Sequence, residues 1–428
     1  MNKHLIALAV STAFTLPAMA DVAVGPFAIY GTAQSAIEKI DVTFLAGSSA
    51  NSTTDTSKMS QSRLMDQTSK LGFKIAHDLG EGMTGLAQVE SRFYLGNGGN
   101  NTQDKAEVGS RNTFVGLGSS QWGTVRLGRY DNAYKLSLKA AAPFIYNNVN
   151  DASAEFGDKQ IMTRLGGRQG DIVAYESPKF NGFQALVSYN MGKDNDYGLG
   201  SADYNAACAT AKTCETKLVT GTGTAAIPNV VAQMPATLMP QTALSLAYAQ
   251  GPLTAAFGYT TISNAAWQLD SGSTTSSVKF NTTTGAEFAL SAYQAGAQYT
   301  FGEYSVGGVY EVTASNLKSV SAAKNFDQWQ ATYALIGAYK SGPHEFHLRY
   351  AFADNVGGNS GTTALKTDTG ATQYSLMYAY DLNKSVKFVS SYTNLANGKN
   401  AKFRSASNFE TDTGASIQQV AIGLAATF

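Results

Sequence analysis

The chain has 428 residues, 43% of them hydrophobic, and its 31 basic and 31 acidic residues give no formal net charge at pH 7. No run of eighteen apolar residues follows Ala20, which excludes a helical membrane protein, and nothing in the charge balance marks a nucleic-acid binder. A mean hydropathy of −0.15 also suits a chain of strands that each expose one face to water.

The first twenty residues, MNKHLIALAVSTAFTLPAMA, have the pattern of a secretory signal peptide. A basic start with Lys3 precedes an apolar stretch, and AlaMetAla forms a small-residue cleavage site before Asp21. The apolar stretch is too short for a spanning helix, and a buried first helix is the alternative. We expect residues 1–20 to be a signal peptide and residues 21–428 to form the mature protein.

After this segment, alternation with a period of two dominates the sequence. Phe346 and Leu348, for example, alternate with His347 and Arg349, as in a strand with one apolar and one polar face. Strand period is found in sixteen segments: 27–43, 68–79, 82–97, 109–119, 122–131, 170–179, 181–192, 241–251, 252–265, 288–301, 302–317, 326–341, 342–356, 370–383, 384–399 and 415–428.

The connections between these segments alternate in length. Short turns, such as GlnGlyPro at 250–252 and PheGlyGlu at 301–303, are separated by long polar loops at 44–67, 98–108, 132–169, 193–240, 266–287, 318–325, 357–369 and 400–414. Short turns at one end and long loops at the other are typical of outer-membrane barrels. The sequence therefore predicts an all-β fold, a 16-stranded antiparallel transmembrane β-barrel with both chain ends on the short-turn side.

The last segment, 415–428, also alternates between apolar residues and small or polar ones. Its apolar residues are two positions apart, and small or polar residues lie between them: the apolar set is Val420, Ile422, Leu424, Ala426 and Phe428. A closing strand that ends in an aromatic residue at the lipid interface fits a membrane barrel.

The two cysteines, Cys208 and Cys214, lie in the 193–240 loop. Because an exported chain meets oxidising conditions, we expect them to form a small loop disulfide. A metal site is not expected, since His344 and His347 are three residues apart in a strand pattern and so point to opposite faces. No cofactor is implied.

Five motifs in the first half resemble signatures of the Gram-negative general porins, which are trimeric, sixteen-stranded channels. They are SKLGFK (69–74), DLGEGMTGLAQVE (78–90), SRNTFVGL (110–117), GTVRLGR (123–129) and AYESPKFNGF (174–183). The resemblance implies an outer-membrane homotrimer for passive diffusion of small hydrophilic solutes and ions. Its implied partners are outer-membrane lipid, lipopolysaccharide, the barrel-assembly machinery, which reads Phe428 as an assembly signal, and small polar solutes; nucleic acid is not among them.

The resemblance also implies that the third extracellular loop, here about 132–169, folds inward and constricts the channel. Its segment DASAEFGD (151–158) is similar to the acidic motif of that loop, although Ala154 replaces a frequent proline. The matching pore-constriction residues are the acids Asp151 and Glu155 and the bases Lys70, Arg111 and Arg168, with Lys70 in place of the usual arginine. Arg92 and Glu90 share the inward parity of this set and are possible additions to the lumen wall.

Two alternatives to a general diffusion channel stay open at this point. A substrate-selective porin would line its lumen with aromatic residues, whereas most aromatic residues here have the apolar parity. A surface adhesin or receptor barrel would use long loops such as 193–240. An enzyme is not expected, because no serine near His347 has the context of a nucleophile. The acids and bases of the constriction nearly balance, so ion preference, solute and gating are left open.

Overall fold

The computed structural model describes residues 22–24, 26–46, 57–66, 69–95, 108–141, 161–162, 164–192, 240–263, 287–318, 326–359, 367–403 and 413–428. The signal segment 1–20, the acidic residues Asp151 and Glu155, and the cysteine pair Cys208 and Cys214 lie outside these residues, so their assignments stay predictions. Among the described helices, none is long and apolar enough to cross a membrane.

One antiparallel sheet contains all the described strands, and one helix accompanies it. In chain order the elements are β1 (Val22–Val24), β2 (Phe27–Phe44), β3 (Ser57–Asp66), β4 (Lys70–Gly80), β5 (Met83–Arg92), β6 (Thr113–Ser119), β7 (Gly123–Asp131), α1 (Ala133–Ala141), β8 (Arg168–Glu176), β9 (Phe183–Asn190), β10 (Gln241–Gln250), β11 (Leu253–Ser263), β12 (Glu287–Phe301), β13 (Tyr304–Lys318), β14 (Phe326–Ser341), β15 (His344–Ala353), β16 (Gly357–Asn359), β17 (Ala371–Asp381), β18 (Val386–Asn397) and β19 (Ser416–Thr427).

The nineteen strand segments form a closed wall of sixteen barrel strands, because some barrel strands consist of two segments. β3 and β4 pair with successive parts of β2 and so form one barrel strand. β15 and β16 pair with successive parts of β14 and form another. β1 is a three-residue extension that pairs with the start of β2. Because β19 pairs with β2, the sheet has no open edge, and the predicted 16-stranded antiparallel barrel is confirmed.

Turn chemistry at one end of the barrel explains why the hairpins are tight. Gly251, Gly302 and Gly342 each open a two-residue turn with φ of +59°, +60° and +52°. A positive φ at the first central position is the type II′ geometry, which matches the twist of the flanking strands and which glycine adopts without strain. The predicted alternation of short turns and long connections is present in the strand order.

The two faces of the wall differ as the alternation predicts. Outward side chains such as Leu335, Leu348 and Ile422 are 51–64% exposed, while inward neighbours such as Gln373 and Thr393 are buried polar groups. Outward aromatic rings pair across strands, as Phe346 and Tyr378 do at 4.8 Å between ring centroids. These pairs form the aromatic part of an apolar band that suits lipid contact.

Three elements lie where the sequence indicated loops, and the shortest of them is β16 in the expected loop 357–369. Residues 44–67 were expected to be a long loop, but Ser57–Asp66 forms β3 and pairs with Ser35–Phe44 of β2. The sequence of β3 is SKMSQSRLMD, with polar residues on both faces, so no alternation of apolar and polar residues marks it as a strand. The long strand β2 supplies the backbone hydrogen-bond partners that make it one. The first part of the expected loop 132–169 is the helix α1.

Phe428 completes the closing seam between β19 and β2. Its backbone N–H donates to the oxygen of Gly31 at 3.1 Å, and its own oxygen accepts from the N–H of Gly31 at 2.8 Å. The Phe428 ring lies directly over Gly31, where any Cβ would collide with it. The terminal aromatic residue therefore holds the seam by backbone pairing and by ring contact.

Deletion of Phe428 should reduce the amount of assembled barrel by about fivefold or more, since two seam hydrogen bonds of about 1 kcal/mol each and one ring contact are lost. Heat-modifiable gel mobility of outer-membrane fractions measures this. Phe428→Tyr keeps the ring and is the matched control. Wild-type assembly of the deletion variant would contradict the role given to this residue.

Candidate functional site: a charged passage inside the barrel

Glu90 is the centre of the first charged group on the inner wall. Arg111 Nε lies 2.6 Å from Glu90 Oε1, and Lys70 Nζ lies 3.8 Å from Glu90 Oε2. Tyr30 Oη donates to Glu90 Oε2 at 2.9 Å. The strands β4 and β5 and the segment before β6 thus bring together three of the residues that the sequence indicated.

Asp131 is the centre of a second group at the ends of β7 and β8. Arg168 Nη2 lies 3.2 Å from Asp131 Oδ1 and Lys135 Nζ lies 2.8 Å from the same oxygen. Asn112 links the partners, since its amide donates to Asp131 Oδ2 at 3.1 Å and its oxygen accepts from Arg168 Nε at 2.6 Å. Arg168 is therefore held in a fixed orientation by Asp131 and Asn112.

The two groups form one electrostatic unit. The charge of Glu90 interacts with those of Lys70, Arg111 and Arg168, and Lys70 in turn interacts with Arg168. Arg111 and Asn112 are also neighbours in the chain, which ties the groups covalently. The structure thus brings together the three bases that the sequence singled out, together with Glu90.

Arg92 has a different neighbour from the other bases. Its Nη2 atom lies 3.6 Å from Asp66 Oδ2, and Asp66 also accepts a hydrogen bond from the backbone of Ser69 at 3.2 Å. Arg92 therefore belongs to an ion pair at the break between β3 and β4. Strand parity alone does not show that Arg92 lies next to the passage but outside the Glu90 group.

The helix α1 lies on the inward face of β10, β11 and β12. Gln294 on β12 donates to the backbone oxygen of Tyr134 at 2.6 Å and to Ser137 Oγ at 2.8 Å. Thr254 on β11 donates to the backbone oxygen of Ala141 at 3.1 Å. Gly258 leaves the space that Ser137 occupies, because a Cβ there would collide with the Ser137 hydroxyl group. The helix therefore narrows the space inside the wall.

Local sequence explains where α1 begins. Asn132 Oδ1 accepts a hydrogen bond from the backbone N–H of Lys135 at 2.8 Å, which makes Asn132 the N-cap. Asp131 and Lys135 then form an i,i+4 ion pair that supports the first turn. The Asp-Asn-x-x-Lys sequence carries this signal, but strand periodicity does not detect it, so the sequence prediction missed both Asp131 and Lys135 as site residues.

A register shift between β7 and β8 lies just before the paired residues Asp131 and Arg168. Gly128 pairs with Ile172 but Tyr130 pairs with Gln169, so β8 has one extra residue at this point, where Asp171 has a φ of +47°. A bulge of this kind re-aims the following side chains. Strict alternation along β8 therefore does not place Arg168, which pairs in register with Asp131.

Both described ends of the 132–169 connection contact the inner wall. Arg164 Nη1 donates to Gln330 Oε1 on β14 at 2.7 Å, and its guanidinium lies 5.7 Å from the ring centre of Phe403. Arg164 and Tyr134 both interact electrostatically with Glu311 on β13, and all three side chains are buried. The carboxylate of Glu311 on the wall thus interacts with both described ends of the 132–169 connection.

The sequence profile of the Gram-negative porin family matches residues 7–401 of this chain. Among similar proteins, an outer membrane porin protein of Bordetella pertussis is 30% identical over 219 residues, which cover 47% of this chain and 53% of that protein. The major outer membrane protein P.IA of Neisseria meningitidis serogroup C is 31% identical over 198 residues, 44% of this chain and 46% of that protein. The match thus spans about half the length of these relatives.

Solved structures show the same fold at lower identity. An anion-selective porin from Comamonas acidovorans superposes with a TM-score of 0.63 at 18% identity, covering 94% of this chain and 99% of that one. The OmpT protein of Vibrio cholerae superposes with a TM-score of 0.60 at 12% identity, covering 95% and 100%. The chain belongs to the Gram-negative porin family, and its closed barrel is that of an outer-membrane protein.

Replacing Arg164 by Met should loosen α1, because Glu311 then loses a positive neighbour in a buried position. We expect the free energy of unfolding to fall by about 1–3 kcal/mol and amide hydrogen exchange in residues 133–141 to become faster. Hydrogen-exchange mass spectrometry of the assembled barrel measures both the helix and the strands. Arg349→Met is the matched control, since Arg349 contacts Met377 on the wall; faster exchange of α1 in this variant as well would argue against a specific role of Arg164.

Proposed function

We propose that this protein is a passive outer-membrane channel, a water-filled passage for small hydrophilic solutes and ions. The observation that carries the proposal is the charged group of Lys70, Glu90, Arg111 and Arg168 on the inner wall of a closed barrel. Charges gathered in a narrow, low-dielectric enclosure act on a passing ion more strongly than they would in open water. The solute gradient supplies the driving force, and the proposal requires no chemical reaction.

A homotrimer is part of this proposal. On the outward face of the described residues, aromatic ring pairs run from Phe183 and Tyr248 to Tyr378 and Phe388, that is, over β9–β18. The outward face of β19 and β2–β7 carries many aliphatic residues, such as Ile37, Val115 and Leu127, and its exposed rings, such as Phe73, form no outward pair among the described residues. Aromatic belts mark lipid contact, so the sector without ring pairs fits subunit contact. A solved trimer form of the Vibrio cholerae OmpT protein supports the same assembly.

Purified protein should insert into planar bilayers in steps composed of three equal conductances, because each subunit of the trimer carries one passage. Heat-denatured protein is the control. Single steps that never group in threes would contradict the trimer, and absence of conductance in a properly folded sample would contradict the channel and favour a surface receptor. Saturable block by one sugar would instead favour the substrate-selective alternative, a relevant test because one relative, 30% identical over 158 residues, is a chitoporin from Vibrio furnissii.

Charge at the constriction should set ion preference. Arg111→Ala and Arg168→Ala should each shift the permeability ratio toward cations by about 1.5- to 3-fold near 0.1 M salt, and Lys70→Ala should do so less, because lysine is a flexible point charge. From the resemblance, Asp151→Asn and Glu155→Gln should shift it toward anions. Reversal potentials in a salt gradient measure these changes.

The control for this series is Arg349→Ala, an inward arginine of β15 that belongs to neither charged group. Its effect should be smaller than that of Arg111→Ala. All shifts should decrease as salt rises, since the Debye length falls from about 10 Å at 0.1 M to about 3 Å at 1 M. Wild-type reversal potentials in every charge variant at low salt would show that the constriction lies elsewhere.

A further inference from the structure

We propose that α1 extends the cationic lining of the passage. Lys135 and Lys139 lie beside the bases of the barrel wall and give the channel a preference for anions, above all for polyvalent ones such as phosphate. This inference rests on the proposed channel function and names its solute class. The geometry of the helix, its ion pairs and the charges around it carry the argument.

Helix geometry assigns the two lysines to one side of α1. Tyr134, Ser137 and Ala141 make the contacts with β11 and β12, and these positions share one face of a helix with 3.6 residues per turn. Lys135 and Lys139 are one turn apart and share another face. The helix is therefore bound to the wall by one side and presents its two lysines away from that side.

The lysines lie next to the charged groups of β4–β8. Lys135 Nζ is 2.8 Å from Asp131 Oδ1, and Lys139 interacts electrostatically with Asp131 and Glu90. Lys70, on the barrel wall, interacts with Lys139 as well as with Arg111 and Arg168. The helix and the wall thus border one common space.

The charges in this space are unequal in number among the described residues. Its bases are Lys70, Arg111, Lys135, Lys139 and Arg168, and its acids are Glu90 and Asp131. Glu90 and Asp131 each lie between two bases, and a base keeps its positive charge when it is hydrogen-bonded. The resulting potential attracts anions, and the energy of an ion in it grows in proportion to the ion's charge.

This arrangement differs from the one that the resemblance implied. There the third loop supplies acids that face bases on the barrel wall. Here the described first part of that loop supplies bases, and Lys135 lies beside Arg168 of the wall, since both contact Asp131 Oδ1. Asp151 and Glu155 come later in the same loop, and their contribution is what the following experiment weighs against the lysines.

The test uses the full-length assembled protein in planar bilayers, with reversal potentials recorded in gradients of potassium chloride and of potassium phosphate. Lys135→Met and Lys139→Met remove the charge and keep a similar stem, while Lys135→Arg and Lys139→Arg retain the charge. Lys340→Met is the matched control, since Lys340 is an inward lysine that pairs with Glu345 at 3.5 Å outside the two charged groups. Heat-modifiable mobility confirms assembly of each variant.

We expect the wild-type protein to prefer anions, and each Met variant to shift the permeability ratio toward cations by about 1.5- to 3-fold at 0.1 M salt, with a larger shift in phosphate than in chloride. The Arg variants and Lys340→Met should stay near wild type. If Lys135→Met does not assemble, Lys139→Met still decides the matter, because Lys139 is not part of the N-terminal ion pair of α1.

Two results would overturn the inference while leaving the channel intact. A wild-type preference for cations would mean that acids such as Asp151 and Glu155 outweigh the lysines. Unchanged ratios in Lys139→Met, in a series where Arg111→Ala does shift, would mean that α1 does not border the passage. Loss of all conductance in folded wild-type protein would instead refute the proposed function.

Discussion

The closed ladder of backbone hydrogen bonds is the constraint on which the rest of this structure depends. Within lipid no water is available to satisfy a free N–H or C=O group, so a spanning sheet must leave no edge unpaired. The pairing of Ser416–Thr427 with Thr32–Thr43 removes the last edge, and β1 continues the pairing of β2 beyond Gly31. Closure then determines which side of every strand faces lipid and which faces the interior.

The functional interior follows from this closure. Because the apolar side chains must face lipid, the polar side chains of neighbouring strands are gathered inside, where Lys70, Glu90 and Arg111 meet although they are spread over three segments of the chain. The interior also accepts α1, whose backbone and hydroxyl groups bind the glutamine and threonine side chains of β11 and β12. The same polar lining therefore supplies both the charges of the passage and the attachment of the helix that narrows it.

At three places inside the barrel, one carboxylate interacts with two partner side chains. Glu90 lies between Lys70 and Arg111, Asp131 between Lys135 and Arg168, and Glu311 beside both Arg164 and Tyr134. A carboxylate shared by two bases holds them in fixed positions and still leaves positive charge in excess. In a narrow passage this combination gives a rigid cationic lining, which neither an isolated ion pair nor a flexible lysine would provide.

The number of barrel strands, the tight turns and the orientation of most side chains follow from the amino-acid sequence alone, because a period of two and a turn glycine are local properties. The resemblance carried by its motifs also implied Lys70, Arg111 and Arg168 as one set, with Glu90 as a possible residue of the lumen wall. Two features became visible in the folded structure alone: β3, whose polar sequence needs β2 as a partner, and the shift between β7 and β8 that precedes the pairing of Asp131 with Arg168. The position of Lys135 and Lys139 likewise depends on Gln294, more than 150 residues away in the chain. Such contacts between distant segments leave no periodic trace in the sequence, since each depends on a surface that exists only after the barrel has closed.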